Sequence, residues 1–447
     1  MKIRIQHFWE IATSGYWFVP SLMTAGSAVA AFGMLEIDRT FLGPGVSIGW
    51  LYSGGSDGAK TLLSTVAGSV ITVAGVVFSI TIAALTQASS QFGPRLLRNF
   101  MRDTSNQVVL GTFVATFLYC LLVLRTIHGK LEDGAAFVPQ ASVSGAVLLA
   151  VASIAVLIYF IHHISLLLQA PNVVAAVLAD FGREMDSVTR RNQHECPPPD
   201  ATAVADHLPA DFESQSCVIT SSSDGYIQAV DYTELIDLAR ASDLLLHLVL
   251  RPGDYAIKGN LMLRAWPAKN CVDSLRSRLN KAFLLGPHRT SEQDLEYGLR
   301  QMAEIAVRAL SPGINDPFTA INCIDSLGSA ICQVARCGLP GARRYDSDGK
   351  LRLVTSVSTF EGIVDMAFNQ IRQYGRDSVA VTVRLLEVLE ACGSQCKKPE
   401  QRAALLRQAE MVYRQSQNPE AIVEKLDRYD VQSRWERIAK SLGPVSN

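Results

Sequence analysis

The sequence predicts a polytopic α-helical membrane protein: four transmembrane helices, then a cytosolic α+β unit and a mainly helical C-terminal domain. Three observations lead there. The 447 residues are 48% hydrophobic and only 19% charged, against ~25% charged in an ordinary soluble domain, and mean hydropathy is +0.17. Charge is unevenly spread: residues 1–169 carry 9 of the 41 basic and 7 of the 42 acidic side chains. Hydrophobic periodicity beyond residue 215 changes to short strand and amphipathic-helix patterns.

Four stretches without Asp, Glu, Lys or Arg define the spans: Gly15–Leu35 (21 residues), Thr61–Pro94 (34), Thr104–Leu124 (21) and Gly134–Ala179 (46). A helix needs ~20 apolar residues to cross a hydrocarbon core, which places the spans near 16–35, 61–86, 107–127 and 142–167. Lipid offers no water to the backbone, so helices are the spanning form these segments can take. The first apolar run is longer than the 7–15 residues of a signal h-region and begins after Lys2, Arg4 and His7, which favours an uncleaved first helix.

Basic residues set the expected orientation. Lys2 and Arg4 precede span one, and Arg95, Arg98 and Arg102 follow span two, while the other two loops are poorer. Both termini are therefore expected in the cytoplasm. Nine scattered cysteines fit a reducing compartment better than a disulfide framework or a zinc site.

Span two stands apart. Ser64, Gly68, Thr72, Gly75, Ser79, Ala83 and Thr86 recur every three or four residues and share one helix face. Such a stripe serves close helix–helix packing, or it forms a pore wall on which water and partly dehydrated ions can move. The following residues form an amphipathic pattern opened by Pro94, with Leu96, Leu97, Phe100 and Met101 on one side and Arg95, Arg98 and Arg102 on the other. These arginines suit lipid head groups, or a ring at an inner vestibule that favours anions. His162 and His163 fall near the inner end of span four, as interfacial polar residues or as a pH-sensitive pair.

The expected domains are 1–169 in the membrane, 170–215 helix and linker, 216–267 a small α+β domain and 268–447 helical. Residues 217–220, 226–230 and 244–250 read as strands, with Asp231 capping a helix over 232–241. Pro252-Gly253 and Gly259 mark turns of a small barrel or sandwich. In 291–310, Leu295, Leu299, Met302, Ala306 and Leu310 form an apolar stripe beside Glu296, Arg300, Glu304 and Arg308, a ladder expected on a solvated face. The SPGINDP run at 311–317 ends that helix, and Pro317 starts the next. A hairpin at 346–349 and four helices over 358–442 follow.

VFSITIAALTQASSQFGPRLLRNFMRD (77–103), GYIQAVD with RPGDYAIKG (225–259) and RALSPGINDPFTAI (308–321) together resemble the bacterial predicted membrane proteins grouped as domain of unknown function 2254. The resemblance covers nearly the whole chain. It implies a plasma-membrane protein with N-terminal spans and a soluble C-terminal region, and carries no catalytic residue.

Function classes narrow accordingly. No HExxH or GxxxxGK[ST] motif occurs, and His207, His288, Cys392 and Cys396 lack metal-site spacing. The expectation is no enzyme, no cofactor, no metal and, at a net charge of −1, no nucleic-acid partner. The leading expectation is a homo-oligomeric, channel-like conduit lined by span two. Its partners would be the lipid bilayer, further copies of itself and ions, with anions slightly favoured. The alternative is a membrane-anchored scaffold or sensor whose cytosolic domain binds a partner.

Overall fold

The computed structural model describes residues 17–41, 51–93, 103–128, 137–167, 169–194, 208–418, 422 and 424–443. The chain divides into two compact units, 1–172 and 173–447.

Among its described residues the first unit holds four helices long and apolar enough to cross a membrane: α1 (Phe18–Thr40), α2 (Ser56–Phe92), α3 (Thr104–Leu124) and α4 (Gln140–Leu167). α3 is central, packing on α1, α2 and α4. It is also the most enclosed of the four. α2 is much longer than the expected span. Its 37 residues reach about 55 Å at 1.5 Å per residue, beyond a ~30 Å hydrocarbon core. The excess carries Asp57 and Lys60 at one end and Gln87 and Gln91 at the other. Gly93 ends α2 at φ 102°, a conformation that favours glycine. α1 likewise runs five residues past its expected end and takes in Glu36, Asp38 and Arg39. The segment bearing Arg95, Arg98 and Arg102 lies outside the described residues.

The second unit begins within α5 (Ala170–His194), whose Val177 and Phe181 lie beside Gly298. After α6 (Phe212–Gln215) come β1 (Cys217–Thr220), β2 (Gly225–Val230), α7 (Tyr232–Ala241), β3 (Leu245–Leu248), β4 (Tyr255–Ala256), β5 (Leu261–Trp266), α8 (Asp273–Lys281) and β6 (Phe283–Gly286). α9 (Leu295–Ala309) and α10 (Pro317–Cys337) precede the hairpin β7 (Arg343–Tyr345) and β8 (Leu351–Thr355). The chain closes with α11 (Phe360–Tyr374), α12 (Val379–Gln395), α13 (Pro399–Ser416) and α14 (Lys425–Leu442).

The strands form two sheets, β1-β5-β3-β8-β7 and β4-β2-β6. β8 pairs with β3 in parallel, Leu246 opposite Leu353, and Leu353 joins Leu246, Leu248 and Leu263 in one buried cluster. The sheet therefore reaches across residue 267, the expected edge of the α+β domain. A parallel neighbour needs a long crossover, and here the crossover includes α9 and α10. That long-range pairing leaves no local mark. α9 to α14 pack into a helical layer, where Trp435 stacks on Tyr413 at 5.3 Å.

Candidate functional site

The stripe on α2 faces away from the rest of its own unit. Ser64, Gly68, Thr72, Gly75, Ser79, Ala83 and Thr86 are all exposed. The buried side of α2 is Leu63, Ala67, Val70, Ala74, Val77, Thr81, Ala84 and Ala88. At 3.6 residues per turn the two sets lie on opposite sides of the helix. A Cβ built on Gly68 or Gly75 meets nothing within 4 Å, so close packing inside the protomer does not explain these glycines. The hydroxyls are satisfied locally: Thr72 donates to the Gly68 carbonyl at 2.8 Å, Ser79 to Gly75 at 2.9 Å and Thr86 to Ile82 at 2.9 Å. Each oxygen then presents lone pairs outward.

Two polar contacts fix helix ends in this unit. Asp38 of α1 is 2% exposed and caps α4, accepting from the Ala141 and Ser142 amides at 2.8 Å each. Asp103 caps α3 through the Ser105 amide at 2.9 Å and meets His163 Nε2 at 2.5 Å. The ring of His163 also stacks on Tyr159 at 5.4 Å. His162, beside it in sequence, is exposed. The structure thus separates the two histidines: one is tied to a helix cap and the other is not.

The second unit holds a small recess of about 80 Å³ among Tyr232, Arg251, Asp294, Arg344 and the strand-end residues Thr355–Ser358. Its position follows from topology. Arg251 lies just past β3 and Ser356–Ser358 just past β8, so the carboxyl ends of two parallel strands meet there. Crevices at that edge of parallel strands are where such sheets commonly bind ligands. Tyr232 and Leu295, the first residues of α7 and α9, add two helix N-termini. A recess of this size holds roughly two or three waters, or one small polar group.

Arg251, Asp294 and Ser358 of its lining belong to a charged network that continues behind it. Glu296 Oε1 accepts from Arg251 at 2.5 Å and from Ser358 at 2.8 Å, while Oε2 accepts from Arg300 at 3.2 Å. Arg251 also donates to Ser358. Asp294 caps α9 and takes a bidentate bond from Arg289 at 2.6 and 3.1 Å. Burial works to raise the Glu296 carboxyl, but the Ser358 bond, Arg251 and Arg300 outweigh it and hold the group below its ordinary value. For Asp294 burial wins over Arg289 and the carboxyl is raised. Gly253 sits at φ +91°, where an added Cβ would overlap Asp294, so this turn of the RPGD run requires glycine. Arg344, 8% exposed, lies over the Tyr232 ring at 4.1 Å.

The solvated ladder expected on α9 is thus corrected at one position: Glu296 is 7% exposed. The i,i+4 spacing is real, since Arg300 does pair with it, but Arg251 and Ser358 arrive from β3 and β8 and cover it. Arg289, Asp294 and Arg344 had no marker in the sequence beyond their charge. Asp316 caps α10, accepting from the Phe318 and Thr319 amides at 3.1 Å each. Among the described residues no three His, Cys, Asp or Glu side chains are grouped to hold a metal ion.

Residues 13–391 match the family described as predicted membrane protein (DUF2254). The uncharacterized protein Rv1290c of Mycobacterium tuberculosis is 36% identical over 376 residues, which is 82% of this chain and 70% of that one. The uncharacterized protein Mb1321c of Mycobacterium bovis matches to the same extent, 36% over 376 residues and the same 82% and 70% shares. No solved structure matches the chain. Family match, relatives and four apolar helices agree, and the chain belongs to the DUF2254 family of predicted membrane proteins.

Proposed function

We propose that this protein is a homo-oligomeric conduit of the bacterial inner membrane, with α2 lining the path and both termini in the cytoplasm. The exposed stripe carries this reading. A helix surface facing lipid gains nothing from Ser, Thr and Gly over Val and Leu. The exposed side of α4 follows that rule, with Leu148, Val151, Ile154 and Ile158 at 60–71% exposure. α2 departs from it along the stripe, with Ile71, Val76, Phe78, Ile80 and Ile82 exposed beside it. A ring of copies would place its hydroxyl face on a shared axis, as cyclic symmetry allows. Outward lone pairs suit water and cations, whereas the arginines after α2 suit anions, and the balance sets selectivity.

Planar-bilayer recording of the purified protein tests this directly. The expected result is single-channel conductance, blocked when Ser64→Cys, Thr72→Cys or Ser79→Cys variants meet an aqueous thiol reagent. A monomer in detergent with no conductance across tension, pH and salt would sink the conduit.

The strand-end recess supports a second reading, a membrane-anchored sensor or scaffold whose cytosolic unit binds a small ligand or partner. There the spans only anchor. A stable stoichiometric partner recovered by cross-linking, with no conductance, favours it.

A further inference from the structure

α10 and α12 run side by side in the same direction. Asp325 meets Arg384 at 2.6 Å, and two turns further on Cys332 meets Cys392, with their sulfurs 3.5 Å apart. Gly328 makes the approach close: a Cβ there would overlap Val388 Cγ1 and lie 3.8 Å from the Cys392 sulfur. The two thiols differ in access. Cys392 is 1% exposed and lies 3.3 Å from the Gly328 carbonyl. Cys332 is half-buried and lines an open groove of about 520 Å³ with Asp325, Arg336 and Arg384.

The groove lining carries two guanidinium groups, Arg336 and Arg384, against one carboxylate, Asp325. Asp325 meets Arg384 at 2.6 Å, whereas Arg336, one turn past Cys332, is exposed; Glu387, which also meets Arg384, is shared with Arg434 at 3.2 Å. A partly exposed thiol in such a setting is the reactive kind, and a buried one is inert until a partner sulfur is delivered to it. The Cys392 thiol, able to donate to the Cys332 sulfur, and then Arg336 draw the Cys332 thiol below its ordinary value. Cys392 is pushed the opposite way by the same contact and by burial. Cys396, one turn beyond, is buried and raised by that burial to about 11.

We propose that Cys332 and Cys392 form a thiol-exchange site, Cys332 attacking an anionic low-molecular-weight disulfide held in the arginine-lined groove and Cys392 resolving the adduct. In the first step the Cys332 thiolate attacks one sulfur of the disulfide. A mixed disulfide forms, the small S–S bond breaks, and one small thiolate leaves with a proton from solvent. In the second step Cys392 loses its proton and attacks the Cys332 sulfur, and the second small thiol leaves with a proton. Two protein thiols are oxidised and one small disulfide is reduced to two thiols. The sulfurs must close by about 1.5 Å to bond. The product staples α10 to α12.

The test uses full-length protein in detergent, reduced, then exposed to oxidised glutathione, quenched by alkylation and mapped by mass spectrometry. Wild type is expected to yield a Cys332–Cys392 cross-linked peptide, and Cys392→Ser to hold glutathione stably on Cys332. Cys332→Ser should give neither the cross-link nor an adduct at Cys392, with Cys392→Ala and thermal melting showing that the variants stay folded. Arg336→Gln should slow adduct formation several-fold with oxidised glutathione but not with the neutral disulfide of mercaptoethanol. An adduct that persists on Cys332 in wild type overturns the resolving role. Modification of exposed Cys337 while Cys332 stays free overturns the site. Equal slowing with both disulfides overturns the preference for an anion.

Discussion

Asp38 and Ser142 lie 104 residues apart, yet the carboxylate of one closes the first turn of the helix that holds the other. Asp38 Oδ2 accepts from the Ser142 amide at 2.8 Å and from its hydroxyl at 2.6 Å, while Oδ1 accepts from the Ala141 amide at 2.8 Å. Two orphan amides at a helix start and one hydroxyl are thus met from α1, where a negative group also complements the helix dipole. Asp38→Ala strands buried amides and is expected to cost about 2 kcal/mol. Asp38→Asn keeps one acceptor and should cost less. Thermal unfolding in detergent reads both, and equal melting of all three proteins would refute the cap.

Glu296 gathers Arg251, Arg300 and Ser358, and removing it leaves Arg251, which lines the recess, and Arg300 without this carboxylate. Glu296→Ala should destabilise the second unit by about 3 kcal/mol, as expected when one member of a buried pair is lost. Glu296→Gln, which keeps an acceptor for Ser358, should cost less.

The same carboxyls give the acid limb its sign. Glu296, Asp316, Asp346 and Glu387 are held below their ordinary values, and Asp243 falls from 3.8 to about 2 through its bonds to Lys350 and Arg352. A depressed carboxyl contributes stability that is present above its unfolded value and lost as pH falls through its folded one. Asp294 is raised and acts the other way, offsetting part of the loss. Thermal melting followed by circular dichroism should be flat near neutrality and fall between pH 3.8 and about 2. A protein equally stable at both ends of that window would contradict this.

Much of the architecture was legible because it is written locally. Charge-free runs marked the four helices long and apolar enough to cross a membrane, Asp231 capped its helix as the spacing said, accepting from the Glu234 amide at 3.1 Å, and Pro317 began α10. What stayed hidden depends on distant pairing. Leu353 joins Leu246 in the sheet across more than a hundred residues, Arg251 finds Glu296 from a turn, and Cys332 finds Cys392 across 60 residues. No spacing rule within one element can show that two elements meet. Glu296 illustrates the trap: its helical neighbours imply a solvated ladder, and only tertiary contact buries it.

Asp316 makes a sharper local test. It accepts from the Phe318 and Thr319 amides and from the Thr319 hydroxyl at 2.5 Å, directly before Pro317 at the start of α10. Asp316→Ala should lower stability by about 1 kcal/mol and Asp316→Asn by less. If Asp316 also held a cation, added divalent metal would raise the melting temperature of wild type and not of the variant. The cap reading expects no metal effect in either.

Neighbouring positions on α2 separate its two faces. Ala74 is 5% exposed, on the side that packs within the protomer, and Ala74→Leu overfills that contact, at a cost of about 1–3 kcal/mol. Gly75, one residue on, has nothing within 4 Å of an added Cβ. Gly75→Leu should leave the melting of an isolated protomer unchanged or slightly improved, because leucine also favours helix over glycine. If copies associate through the stripe, the same substitution should weaken the oligomer, read as a shift toward monomer by native mass spectrometry in detergent. The two variants therefore dissociate two properties. Ala74→Leu lowers stability by disturbing the protomer, and Gly75→Leu lowers assembly and any conductance with the protomer intact. Unchanged assembly and conductance in Gly75→Leu, Thr72→Leu and Ser79→Leu would return the stripe to an ordinary lipid-facing surface.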